Sequence, residues 1–153
     1  MTDIGPTAGI GLLGTGGQAR ELLGYCSRPV VFRAVESRFL GTWKGDGDLI
    51  DIESPGHDRE DTAVVVAVGA PGLKRRLVEL WPGDRYVRVV SEDATVAESA
   101  ELGRGCVLAP GARVMAEAAL GEHVLVNTNA VVSHECELGS YTTVSPGASL
   151  GGA

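Results

Sequence analysis

Two stretches of this 153-residue chain carry residue types that chemistry can use. The first is Ser133-His134-Glu135-Cys136. An imidazole can take up a proton near neutral pH, and a carboxylate beside it can hold the ring in one orientation. His134 is therefore a candidate general base and Glu135 its support, although on spacing alone a solvated corner histidine is the simpler account. The second is Gly14-Thr15-Gly16-Gly17. Amides without side chains can approach a phosphate closely, and a following helix start favours negative charge. The spacing G-x-G-G-x-A does not complete the dinucleotide fingerprint, so a nicotinamide site is disfavoured. A tight strand-to-helix turn that binds nothing explains this loop equally well. His123 and His57 read as solvated surface. His123 and His134 fall on different sides of a repeat and do not converge as zinc ligands must, so no metal is expected. Lys74-Arg75-Arg76 reads as an ordinary solvated helix face.

The element that must position His134 is a repeat. Residues 94–153 divide into ten blocks of six without insertion. The third residue of every block is Val or Leu: Val96, Leu102, Leu108, Val114, Leu120, Val126, Val132, Leu138, Val144 and Leu150. The first residue is always small or β-branched. Positions one and three point to one face of an extended segment, and the last three positions are rich in corner-forming residues. Three such sides close a triangular coil of about eighteen residues, and coils stack at strand spacing, roughly 4.8 Å. A helix fails because a period of six drifts around 3.6 residues per turn. His134 and Glu135 occupy positions five and six, on a corner. Adding and subtracting one coil places Gly152 and Ala116 above and below His134, and such small residues leave a slot around the imidazole. Cys106 and Cys136 take inward first positions on different sides, so a disulfide between them is not expected.

The first ninety residues carry a different pattern. Strands are expected at residues 8–13, 30–35, 62–68 and 86–90, with a short one near 49–52. Helices are expected at 18–26 and 73–80. Residues 1–7 read as a loose tail, and 36–61 as mostly loop. The run Thr62-Ala63-Val64-Val65-Val66-Ala67-Val68 is apolar throughout, as in a strand covered on both faces. This predicts a small, mainly parallel α/β domain. The net charge of −7 argues against nucleic acid. No apolar run is long enough for a membrane span and no signal peptide is evident, so a cytoplasmic location is expected, consistent with three unpaired cysteines.

Leu102-Gly103-Arg104-Gly105-Cys106-Val107, Leu120-Gly121-Glu122-His123-Val124-Leu125 and Leu138-Gly139-Ser140-Tyr141-Thr142-Thr143 resemble the repeat of the hexapeptide-repeat acyltransferases. With the Gly-Thr-Gly-Gly-Gln-Ala-Arg opening, the strand ending Val68-Gly69 and the Ser-His-Glu-Cys run, the chain resembles the sialic acid O-acetyltransferase and UDP-4-amino-sugar N-acetyltransferase subfamily. The resemblance implies a Rossmann-like domain over residues 1–92, followed by a left-handed parallel β-helix over 93–153. It also implies acetyl-CoA as cosubstrate, a nucleotide-linked sugar (a UDP-sugar) as acceptor, and a homotrimer. His134 is then the base that takes a proton from an amine or hydroxyl attacking the thioester, and Glu135 supports it. Asn127 lies near the acceptor amine, and Gly14, Thr15, Gly16, Gly17 and Gly69 face the sugar nucleotide. An arginine of the Lys74-Arg75-Arg76 run near that ligand is the alternative to a solvated helix face. By the stacking argument, the Gly152 amide approaches the thioester carbonyl.

Three departures stand out. Where the subfamily has an Asp pair after its second strand, this chain has Arg33-Ala34-Val35-Glu36. A second histidine one block on is replaced by Thr143. Relatives continue for further coils, so this chain is expected to be either a truncated piece or one whose open end a partner covers, and to transfer acetyl groups poorly alone. The competing reading is a non-catalytic scaffold that binds a sugar nucleotide or forms trimers.

Overall fold

The computed structural model describes residues 8–41, 48–53, 59 and 61–153. His57 and the expected tail at 1–7 lie outside the described residues. The chain divides into two units, Met1–Val68 with Gly72–Val87, and Gly69–Pro71 with Arg88–Ala153.

The first unit is a four-stranded parallel sheet in the order β3-β2-β1-β4. Its strands are β1 (Ile10–Leu13), β2 (Val30–Val35), β3 (Asp48–Asp51) and β4 (Val64–Val66). Helices α1 (Gly17–Leu23) and α2 (Pro71–Leu80) follow β1 and β4. All four residues of β1 and all three of β4 are buried, which accounts for their unbroken apolar runs. The core joins Leu13, Phe32, Ala34, Val64 and Val66 to Leu77 and Trp81, and the Phe32 and Trp81 rings stack with centroids 5.7 Å apart. Among the described residues no helix is long and apolar enough to cross a membrane.

The second unit consists of eleven two-residue strands, β5 (Val89–Val90) through β15 (Ser149–Leu150), in three parallel sheets. Partners are eighteen residues apart, as in Leu125 with Val107 and Thr143. Parallel sheets of repeated short strands fit a left-handed parallel β-helix. Positions one and three point inward as expected: Cys106, Leu108, Ala112, Val114, Ala118, Leu120, Val124, Val126, Ala130 and Val132 form the core. Position six of the corner adopts left-handed backbone at Glu117, His123, Asn129, Glu135 and Tyr141, with φ from 56° to 67°. A non-glycine residue pays about 1–2 kcal/mol there. Part of the compensation is a hydrogen bond to the coil below. The amides of His123, Glu135 and Tyr141 donate to the carbonyls of Arg104, Ala116 and Glu122 at 2.8–3.1 Å.

Two expectations about this region are corrected. The strand expected at 86–90 divides. Tyr86 bridges to Val64 in the first unit, whereas Val89–Val90 is the first side of the β-helix. Val89–Val90 thus adds a side to the sheet of β8 (Val107–Leu108). Arg88 stands where later blocks carry a small residue. His123 is not solvated surface. It is 2% exposed and its ring stacks on Tyr141, one coil on, with centroids 5.4 Å apart.

Candidate active site

The corner carrying His134 lies between β12 (Val131–Val132) and β13 (Glu137–Leu138). Val132 points into the core and is fully buried, which anchors the strand, while the His134 side chain is 59% exposed. Its Nδ1 lies 3.0 Å from Glu135 Oε2. With the carboxylate accepting from Nδ1–H, the proton-free nitrogen is Nε2, the tautomer a general base needs. The coil stacking appears as expected. The Glu135 amide donates to Ala116 O at 3.1 Å, and the Ala153 amide to His134 O at 3.4 Å. A Cβ on Gly152 would overlap the imidazole, so only glycine at that position leaves the ring where it lies. The structure therefore brings His134, Glu135 and Gly152 together.

Asn127 belongs to the preceding corner of the coil. Its side chain is buried, and Oδ1 accepts from the Thr128 amide at 2.8 Å, so this carboxamide also holds its own turn. On the wall that follows the His134 corner, a trough of about 510 Å³ runs across β7 (Glu101–Leu102), β10 (Ala119–Leu120) and β13. Gly103, Gly121 and Gly139 line it, and Glu101 and Glu137 flank them. The sequence held this signal, because position four of every third block is glycine.

In the first unit, the glycines after β1 have different reasons. Gly14 has φ +118°, and a Cβ there would meet the Val68 side chain at 2.7 Å and Ala67 O at 3.2 Å. This glycine is imposed by packing. Gly16 and Gly17 are exposed and have nothing within 4 Å of a built Cβ, and Thr15 is half-buried. Packing does not require either glycine. The loop lies at the carboxyl end of β1, where strand order reverses between β2 and β4. Crevices of parallel α/β sheets open at such switch points. Gly69 groups with the repeat unit, and its carbonyl accepts from Thr143 Oγ1 at 2.6 Å.

The solvated-helix-face reading of Lys74-Arg75-Arg76 holds for Arg75 and Arg76, which are exposed, and is corrected for Lys74, which is buried. Arg76 forms an ion pair with Glu36, itself buried at the end of β2. Burial alone would raise the Glu36 pKa, but the Arg38 and Arg76 guanidiniums outweigh it and hold the carboxyl below its ordinary value. Sequence reasoning missed this group because its members are forty residues apart.

No protein-family model matches the chain, and no curated protein matches it. Solved structures do. The acetyltransferase domain of PglB from Neisseria gonorrhoeae FA1090 is 28% identical, with a TM-score of 0.76, covering 95% of this chain and 74% of that one. The same domain in complex with acetyl coenzyme A matches with a TM-score of 0.75. A histidine-to-alanine mutant of GDP-perosamine N-acetyltransferase from Caulobacter crescentus, in complex with CoA and GDP-perosamine, is 24% identical. Its TM-score is 0.73, over 93% of this chain and 70% of that one. WeeI from Acinetobacter baumannii AYE is 22% identical, with a TM-score of 0.75, over 94% of this chain and 72% of that one. The last two share the fold, and the chain is thus similar along nearly its whole length to an acetyltransferase domain that binds acetyl coenzyme A.

Proposed function

We propose that this protein transfers an acetyl group from acetyl-CoA to an amino or hydroxyl group of a sugar, and that the sugar is nucleotide-linked. The observation that carries this reading is the His134–Glu135 pair on an exposed β-helix corner, in a chain similar to an acetyl-CoA-binding acetyltransferase domain. Nε2 of His134 takes the proton of the attacking amine or hydroxyl as the nucleophile adds to the thioester carbonyl. Glu135 accepts the Nδ1 hydrogen bond and stabilises the imidazolium that forms. The Gly152 amide donates to the developing oxyanion. Collapse of the tetrahedral adduct expels the CoA thiolate, which recovers the proton from His134, and the acetylated sugar leaves. No covalent enzyme intermediate is needed. The trough beyond this corner offers room for the extended arm of the thioester. The amides at Gly16 and Gly17 face the phosphates of the sugar nucleotide, and Gly14 and Thr15 shape that turn. A homotrimer completes the proposal.

The test is His134→Ala, assayed with acetyl-CoA and amino-sugar nucleotides. Turnover is expected to fall by about 10²–10⁴-fold, the usual contribution of a general base, with the circular dichroism spectrum unchanged. Retained turnover in a folded variant would reject the assignment and favour a scaffold.

A further inference from the structure

Glu36 sits just past β2 with its side chain 1% exposed, held between two guanidiniums. Arg38 Nη2 donates to its Oε2 at 3.1 Å, and Arg76 reaches its Oε1 from α2 through Nε and Nη2. The arginine side chains remain 65% and 53% exposed, so a buried anion is presented outward as two cations. The carboxylates around them hold local partners. Glu53 Oε2 accepts from the Ser37 amide at 3.2 Å, and Glu53 Oε1 lies 3.7 Å from Arg76. Asp51 accepts from Ser37 Oγ at 2.6 Å and from the Glu53 amide at 2.9 Å. Donors are left over. Arg38 places one Nη2 hydrogen on Glu36, which leaves a two-donor edge of its fork without a hydrogen bond among the described residues. Its guanidinium carbon lies 4.8 Å from the Phe39 ring centroid, which limits the ways the fork can turn.

In parallel α/β sheets that bind nucleotides, the phosphates meet the loop after the first strand, and the ribose and base extend toward the end of the second. Resting on the nucleotide-sugar reading above, we propose that Arg38, anchored by Glu36, reads the base of the nucleotide and selects guanine. A guanidinium offers paired donors and no acceptor. Guanine presents two adjacent acceptors, O6 and N7, and pairs with such a fork bidentately. Adenine sets its N6 amino group beside N7 and meets donor with donor. Uracil separates its two carbonyls by an N–H, so no two acceptors stand adjacent to meet the fork. Cytosine has adjacent O2 and N3 acceptors on a smaller ring and ranks second. This departs from the uridine nucleotide that the family resemblance implies.

Calorimetry on the full chain with GDP, CDP, UDP and ADP tests this, beside Arg38→Lys and Arg38→Ala. GDP should bind about tenfold or more tighter than UDP and ADP, with CDP between them. Arg38→Lys keeps the charge but loses the fork, and should bring the four affinities within about twofold. Parental circular dichroism and a cooperative thermal melt establish that the variants fold, with Arg38→Ala expected to melt lower than the parent because it removes one of the two guanidiniums on buried Glu36. UDP binding as tightly as GDP, or a guanine preference that survives in Arg38→Lys, overturns the proposal. Equal weakening of all four ligands in Arg38→Ala would place Arg38 on a phosphate and also overturn it, while leaving the nucleotide-sugar reading intact. Failure of all four to bind the parent chain overturns that underlying reading.

Discussion

Under the proposed function, His134 acts as base with its ring oriented by one hydrogen bond, Nδ1 to Glu135 Oε2 at 3.0 Å. Glu135→Gln keeps the shape and removes the charge that stabilises the imidazolium. It should lower kcat less than the ~10²–10⁴-fold loss of the base itself, with KM for acetyl-CoA little changed. Steady-state kinetics of both variants side by side checks the order, and a larger loss in Glu135→Gln than in His134→Ala would refute it. This pair was legible because its members are neighbours in sequence. Glu36 was not, since its partner Arg76 comes from another element. Its folded pKa lies below the ordinary 4.5, so its contribution to stability is full above that pH and drains as pH falls through the folded value. Glu36→Gln should therefore melt lower than the parent at pH 7, and the difference should shrink toward pH 3. Thermal unfolding across that range tests the sign, and a gap that widens on acidification would contradict it. His123 was misread for a different reason. Its corner position marks it as outward, but the residues one coil away, Gly105 and Tyr141, make a flat berth for its ring. Counting eighteen in each direction would have shown this, as it did for His134 and Gly152.

Among the elements, the β-helix was legible almost completely, because one inward aliphatic per side repeats without interruption. Its first side was missed where Arg88 breaks the small-residue rule, and only the pairing of Val89–Val90 with β8 (Val107–Leu108) reveals it. The loop after β1 shows the opposite limit. Four residues rich in glycine read equally well as a turn or as a phosphate cradle, and sequence cannot weigh glycines that packing demands against glycines it does not. The structure separates them. Gly14→Ala forces a Cβ into left-handed-side backbone against Val68 and Ala67, and should cost about 1–3 kcal/mol. Gly16 has ordinary φ of −73° and open space around it, so Gly16→Ala should stay within about 0.5 kcal/mol. Urea unfolding of the two variants measures the contrast directly, and equal losses would mean that the loop is held by something other than this packing.

At the scale of the molecule, the change from mixed α/β patterning to a period of six near residue 90 announced two units, and contact between residues divides the chain at Val87 and Arg88. Under the proposed function, each unit handles a different part of the free-energy profile. Binding of the phosphates belongs to the amides at Gly16 and Gly17, and proton transfer belongs to His134. A group that acts only in the transition state lowers kcat when lost, whereas one that binds ground and transition states alike raises KM. Gly16→Val, which adds bulk where the fold has room, should thus raise KM for the sugar nucleotide about tenfold or more with kcat nearly unchanged, if a phosphate contact of ordinary strength is blocked. His134→Ala should do the reverse and retain parental affinity for the sugar nucleotide by calorimetry. The double variant should show the product of the two effects in kcat/KM, as independent contributions do. A Gly16→Val enzyme with parental KM would remove the phosphates from this loop. A His134→Ala protein that no longer binds the nucleotide would mean that the histidine contacts the acceptor before any proton moves.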